Sequence, residues 1–482
     1  MKKIITFFPI FILILNSLVT SVSTAGETFS KNSTDILSDE VKGNLNWLMK
    51  TAIKDEEGYK WPHEENSEKY HLDFYLGTPG ICLLFSKAYN ITRNETYLEY
   101  AERGINWIIS SSIEENNGYK WPYEEGSTDY YTSFYSGAAG IGNSFIQFYQ
   151  LLANETYLNY AKGAAKWLVN IAEFEENEYS PEEKICKWPE SQNSNEYIFD
   201  LFDGTAGIGL FFINLFNETN NETYLNYAKY AGNWLITKSY NLGNGRYTWS
   251  MYKTKLLPLK FYFSPGYAHG TAGVGDFFAE LYKNSGEEKY LEYAKGAGKW
   301  LIDSAIKSIR SNGVKWRWSF CRYELGSIFK IFTFGTGWCH GPAGINKFLI
   351  NLYEITNNQI YLSYAEKGAK WLTDEAISDG EGFRWPKVTG RFGIFKSDSP
   401  PHICCGTAGI GKMFLELYKS TNNSIYRTYA LGAVKGLKQE VINLEDGCCK
   451  WKTAKNSYDT GHHKGSSGIA LFLIESNQSL CE

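Results

Sequence analysis

The sequence predicts an all-α fold, an α/α toroid (a seven-fold double-helical barrel) of seven helical-hairpin repeats, and three recurrent features predict it. The first is a phrase, Gly-x-x-Gly followed by Ile or Val, that starts at Gly77, Gly137, Gly204, Gly270, Gly341, Gly406 and Gly465. Its spacings are 60, 67, 66, 71, 65 and 59 residues, and a steady period of this kind marks repeated supersecondary units. The second is a tryptophan ahead of each phrase, at Trp61, Trp121, Trp188, Trp249, Trp316, Trp385 and Trp451. The third is a block such as "YLNYAKGAAKWL" or "YLEYAKGAGKWL", closed by Trp107, Trp167, Trp234, Trp300 and Trp371, with Trp47 closing a shorter first copy.

The block has the period of a helix. Its apolar residues recur at three and four, the period of an amphipathic helix. The segment after each glycine phrase, as in "GIGLFFINLF", is apolar on most sides and predicts a buried inner helix packed on an amphipathic outer one. Seven such hairpins either stack as an open solenoid or close on themselves. Closure is expected, because no terminal unit carries a polar cap and the inner helices read as buried. The glycines are expected to let the backbone turn tightly and let neighbours approach.

The N-terminus predicts export. Lys2 and Lys3 precede an apolar stretch from Ile4 to about Val19, then "TSVSTA", where Ser23 and Ala25 meet the small-x-small rule for cleavage before Gly26. Residues 1–25 are thus expected to be a signal peptide and 26–482 one toroid domain, secreted or extracytoplasmic, with no membrane span left after cleavage. A retained anchor is the other reading, for which the apolar run is short. Eight Asn-x-Ser/Thr sequons, at Asn32, Asn90, Asn94, Asn154, Asn217, Asn221, Asn422 and Asn477, fit an exported glycoprotein. Several also fit helix N-caps. The net charge of −5, without long basic runs, excludes nucleic acid as an expected partner, and a monomer is expected. The 35 Tyr, 29 Phe and 15 Trp fit either a sugar-binding surface or an aromatic helical core.

All seven glycine phrases should gather at one end of the ring, so the residues just before them share a rim. In order these are Tyr75-Leu76, Tyr135-Ser136, Phe202-Asp203, Ala268-His269, Cys339-His340, Cys404-Cys405 and His463-Lys464. The early units are mostly apolar here, the later ones rich in metal ligands and acid–base groups. Cys339 and Cys404 hold equivalent places in adjacent units and Cys405 adds a third thiol, a soft set for zinc with a fourth position open. A disulfide or buried thiols remain the alternative in an exported chain. Five of seven histidines, His269, His340, His402, His462 and His463, fall within four residues of a phrase. Asp200 and Asp203 share the rim and can orient a histidine or take a proton; Asp203 equally suits a helix cap.

"AHGTAGVG", "WCHGPAGI" and "CCGTAGIG", on a seven-fold Gly-x-x-Gly frame, resemble the lanthionine synthetase C-like family over nearly all of the mature chain. The resemblance implies a toroid with one catalytic Zn2+ and the addition of a thiol to a dehydroamino acid, in a peptide or a thiol-containing small-molecule substrate. It implies Cys339, Cys404 and Cys405 as metal ligands, Cys405 standing where histidine is usual, and His269, Asp200 and His340 as catalytic residues. Bacterial cyclases of the family carry an arginine four residues before the first zinc cysteine; Gly335 stands there, with Arg317 and Arg322 upstream. Two other readings follow from the same residues: an exported binding protein without catalysis, and a carbohydrate-active toroid using Asp200 and Asp203.

Overall fold

Five of the seven outer helices begin where an asparagine caps them. The side chains of Asn94, Asn154, Asn221, Asn358 and Asn423 each accept a hydrogen bond from the backbone N–H two residues on, filling donors a helix start leaves open. The computed structural model describes residues 37–178, 180–250, 262–310, 313–319, 322–323, 333–390 and 396–480. The expected signal segment 1–25, the sequon at Asn32, and Cys321 and Cys481 lie outside these residues. Among the described residues no helix is long and apolar enough to cross a membrane.

Fourteen helices follow in order among the described residues. They are α1 (Asp39–Thr51), α2 (Thr78–Thr92), α3 (Glu95–Ser110), α4 (Ala138–Leu152), α5 (Glu155–Ile171), α6 (Thr205–Thr219) and α7 (Glu222–Thr237). The rest are α8 (Thr271–Ser285), α9 (Glu288–Ser304), α10 (Pro342–Thr356), α11 (Gln359–Glu375), α12 (Thr407–Thr421), α13 (Ser424–Gln439) and α14 (Ser466–Leu480). The even-numbered helices are the inner ones. Each packs on the next even-numbered helix, and α14 packs on α2, which closes the ring. Each inner helix pairs with the outer helix that follows it after two residues; α14, which has none after it, packs on α1. The shorter block ending at Trp47 is therefore the outer partner of the last inner helix.

Short antiparallel hairpins join each outer helix to the next inner one, and each leans on the following outer helix. Their tryptophans explain the second sequence marker. Trp61, Trp121, Trp188, Trp249, Trp318, Trp385 and Trp451 are all 0–2% exposed. Each donates its indole N–H, at 2.7–2.8 Å, to a carbonyl in the last turn of the preceding outer helix. One large side chain thus fills the core and ties the hairpin to a helix-end carbonyl. The fifth marker is corrected: Trp318, not Trp316, takes this place, while Trp316 stacks on Tyr364 at 5.3 Å.

The glycines act by exclusion more than by turning. The first glycine of each phrase caps its inner helix with negative φ, as at Gly406 (φ −130°), a conformation open to any residue. A Cβ on Gly406, however, would collide with the Pro400 carbonyl oxygen, and one on Gly409 with that of Ile403. The chain before each inner helix folds flat against its first turn, leaving no room for a side chain.

That approach sets up a belt. The residue two places before each phrase donates its N–H to the matching residue of the next unit, from Tyr75 to Tyr135, Phe202, Ala268, Cys339, Cys404, His463 and back to Tyr75, at 2.9–3.3 Å. Seven buried N–H groups and seven carbonyls satisfy one another with no free end. The rim predicted from the repeats is this belt.

Candidate functional site

The belt turns sequence position into place. Its aromatic side chains form a plug: Tyr135 stacks on Phe202 at 4.8 Å, Tyr75 meets Phe202 at 4.9 Å, and His463 and Trp338 pack against Tyr135 at 4.7 and 5.5 Å. A cavity of about 490 Å³ lies among the inner helices, reaching from Tyr135, Trp338 and His463 toward Lys87, Gln150 and Glu475. No cysteine lines it, nor does His269. The thiols belong to the rim.

All seven described cysteines are free. Cys404 Sγ and Cys405 Sγ stand 3.3 Å apart, and the Cys339 thiol lies within reach of both. The Tyr75 hydroxyl donates to Cys404 Sγ at 3.1 Å. Together the donors decide where charge rests. Hydrogen bonds from Cys339, Cys405 and Tyr75 hold the buried Cys404 well below the usual thiol range. Cys339, hydrogen-bonded to both neighbours and buried, is pushed well up. Cys405, drawn down by Cys339 but raised more by Cys404 and burial, sits at about 12. Negative charge is thus favoured on Cys404 over its two neighbours, as expected where three sulfurs crowd together.

A divalent soft metal is the group such a donor set fits, because it would let all three sulfurs ionise together. Among the described residues no set of three or more His, Cys, Asp or Glu side chains is spread as a finished metal cage. The sulfurs are bunched instead: two thiolates on one tetrahedral zinc, with Zn–S near 2.3 Å, stand about 3.8 Å apart, against 3.3 Å here. For this pair of sulfurs the difference is about half an ångström.

Beside the sulfurs lies an acid–base pair. His269 Nδ1 is 3.0 Å from Asp200 Oδ2, while Asp200 Oδ1 accepts the Asp203 backbone N–H at 2.7 Å. Asp200 thus holds the turn with one oxygen and fixes the imidazole with the other. Burial works against charging His269, but Asp200 outweighs it and the pKa rises above the ordinary histidine value. His340 stacks on His269 at 5.6 Å, and burial with the His269 charge pushes it down to about 4. Burial and Asp200 lift Asp203 to about 7. His402 receives the Cys405 backbone N–H on Nδ1 at 3.4 Å, and His463 is pushed down to about 3 by burial, so both serve as neutral packing.

The predicted residues Cys339, Cys404, Cys405, His269, Asp200 and His340 thus come together. Tyr75 and Lys387 were not anticipated. Tyr75 stood in a unit taken as apolar; its hydroxyl was the signal. Lys387 is exposed and follows the marker Trp385 by two residues. Its backbone carbonyl accepts the Thr336 N–H at 3.2 Å, and its charge bears on Cys405, His340 and His402. Gly335 pairs with Val388 in the adjoining strand, which places Lys387 just before the strand opposite Gly335. Arg317 is engaged elsewhere, 3.9 Å over the Phe334 ring.

The model of the family described as "Lanthionine synthetase C-like protein" matches residues 18–182 and 168–479. Among solved structures, nisin cyclase is similar with a TM-score of 0.59 and 18% identity over 92% of this chain and 93% of that one. A sugar epimerase from a ruminal bacterium gives 0.53 and 14% over 81% and 98%. Cellobiose 2-epimerase from Bacillus thermoamylovorans B4167 gives 0.52 and 12% over 92% and 98%. At these identities the likeness concerns the α/α toroid alone. Comparison by sequence with curated proteins finds no match.

Proposed function

The chain belongs to the lanthionine synthetase C-like family, and from that premise we propose that it is a zinc-dependent enzyme joining a thiol to a dehydroamino acid. The product is a thioether, and the substrate a peptide or a thiol-bearing small molecule. Cys339, Cys404 and Cys405 would hold the zinc. Bound there, the ion supplies positive charge and an open position that favour the thiolate form of a substrate thiol.

The protein's own groups do the rest. The substrate sulfur attacks the β-carbon, a C–S bond forms, and the C=C π pair moves toward the neighbouring carbonyl as an enolate. His269, held through Nδ1 by Asp200, presents Nε2 and delivers a proton to the α-carbon. His340, with its low pKa, is neutral at pH 7 and does not compete as the acid. Lys387 offsets the growing negative charge. The thiol's proton leaves to solvent as the thiolate forms, and His269 regains one from solvent after the transfer, so the step is balanced.

The observation that carries this reading is the meeting of three free sulfurs from two adjacent units beside the His269–Asp200 pair. Metal content per chain tests it, together with thioether formation from a dehydroalanine peptide and a small thiol. One zinc, absent along with activity in the Cys404→Ser, Cys405→Ser double variant, supports it. A metal-free chain with oxidised thiols, or full activity in the double variant, refutes it.

A further inference from the structure

We propose that this protein carries N-linked glycans on one end of the ring, over an arc of five adjacent units, and that the thiol mouth at the other end carries none at the sequons of the described residues. The inference concerns the surface and does not depend on the thiol-addition chemistry; it rests on export. The sequons sort by place. Asn94, Asn154 and Asn221 are N-caps of α3, α5 and α7. Asn90, Asn217 and Asn477 lie in or beside the last turns of α2, α6 and α14, and Asn422 ends α12. Every one of these is at the junction where an inner helix ends. The cysteines and His269 stand where inner helices begin. Fifteen residues of helix separate the two ends, about 22 Å.

Helix capping does not account for this pattern. Asn358 and Asn423 cap α11 and α13 with the same bond but have isoleucine two residues on. The cap therefore needs only the asparagine. The threonines at 96, 156 and 223 lend their backbone N–H to it, which any residue supplies. Asn217 and Asn477 sit inside the last turns of α6 and α14 and at no helix start, yet each begins a complete sequon. Asn94, Asn154, Asn217, Asn221, Asn422 and Asn477 are exposed, and Asn90 is half-buried. An oligosaccharide on these side-chain amides projects into solvent. The units built on α8–α9 and α10–α11 have no sequon, so the coat has one gap, two units wide.

The test uses the full chain secreted with its own leader from a eukaryotic cell line. Peptide-N-glycosidase in heavy-oxygen water marks each formerly glycosylated asparagine for mass spectrometry. Marks at the six exposed sites, weakest at Asn90, are the expected result. Unmarked asparagines, in medium or in retained protein, overturn the proposal. A triple variant, Thr96→Ala, Thr156→Ala, Thr223→Ala, separates modification from capping. Loss of three marks with an unchanged melting temperature is expected. Persistence of those marks, or a fall of ten degrees or more in melting temperature without any change in glycan mass, overturns it.

Discussion

The first three units and the next three share one backbone and differ in chemistry. Along the belt, Tyr75, Tyr135 and Phe202 stack into the plug, whereas Ala268, Cys339 and Cys404 clear space for His269, His340 and the sulfurs. The belt bonds are alike on both sides. Main chain holds the ring together, so side chains at these positions are released from that duty and the two arcs can diverge. One arc packs; the other gathers the thiols and the acid–base pair.

The largest break in that contrast is expected from Cys404→Ala. It removes the sulfur on which Cys339, Cys405 and Tyr75 converge, so thiol addition should fall at least a thousandfold, about 4 kcal/mol of barrier, in a rate assay. Circular dichroism should show the helices intact. The opposite experiment is Trp188→Ala, placed in the packing arc's core. It should cost about 3–5 kcal/mol of stability in denaturant unfolding and leave the residual folded enzyme's KM unchanged. An equal loss of stability in both variants would erase the distinction.

Asp200→Asn tests the acid directly. With Asp200 ionised, the folded pKa of His269 is raised, so the pair's stabilisation is complete below the unfolded value near 6.5 and is lost as pH rises through the folded value. The variant should lose activity about tenfold to a hundredfold, its alkaline limb should move to lower pH, and its stability deficit should be largest in acid. Tyr75→Phe reaches from the packing arc into the reacting one. Hydrogen bonds to charged groups are worth about 1.5–3 kcal/mol, so Cys404 should titrate higher in a thiol-alkylation pH profile, with activity down about tenfold. The smallest effect is expected from Asp203→Asn. Its folded pKa near 7 lies above the unfolded value, so the wild type loses stability as pH climbs between about 4 and 7. The variant should therefore melt higher at pH 8 and match wild type near pH 4.

The ring, its seven units and the assembly of Cys339, Cys404, Cys405, His269 and Asp200 were legible because repetition aligns positions without knowledge of contacts. What escaped has physical causes. Trp316 lies in the strand Gly313–Arg317 and Trp318 just past its end, and only burial tells which bonds the helix. The partnership of α1 with α14 joins segments over 400 residues apart, which periodicity does not see. Tyr75 lay hidden because an aromatic ring counts as core until its hydroxyl finds a sulfur. Lys387 lay hidden because it comes from the hairpin rather than from the repeated phrase.

The two-residue joint between inner and outer helices occurs six times, and the seventh place, between Leu480 of α14 and Asp39 of α1, has no peptide link. The belt, the helix pairs and the indole bonds all run through that seam as they do elsewhere. For this architecture, the order in which the units are strung is a matter of where a circle was opened. A chain opened at another joint, with a short link between Leu480 and Asp39, should rebuild the same rim and bring the same three sulfurs together.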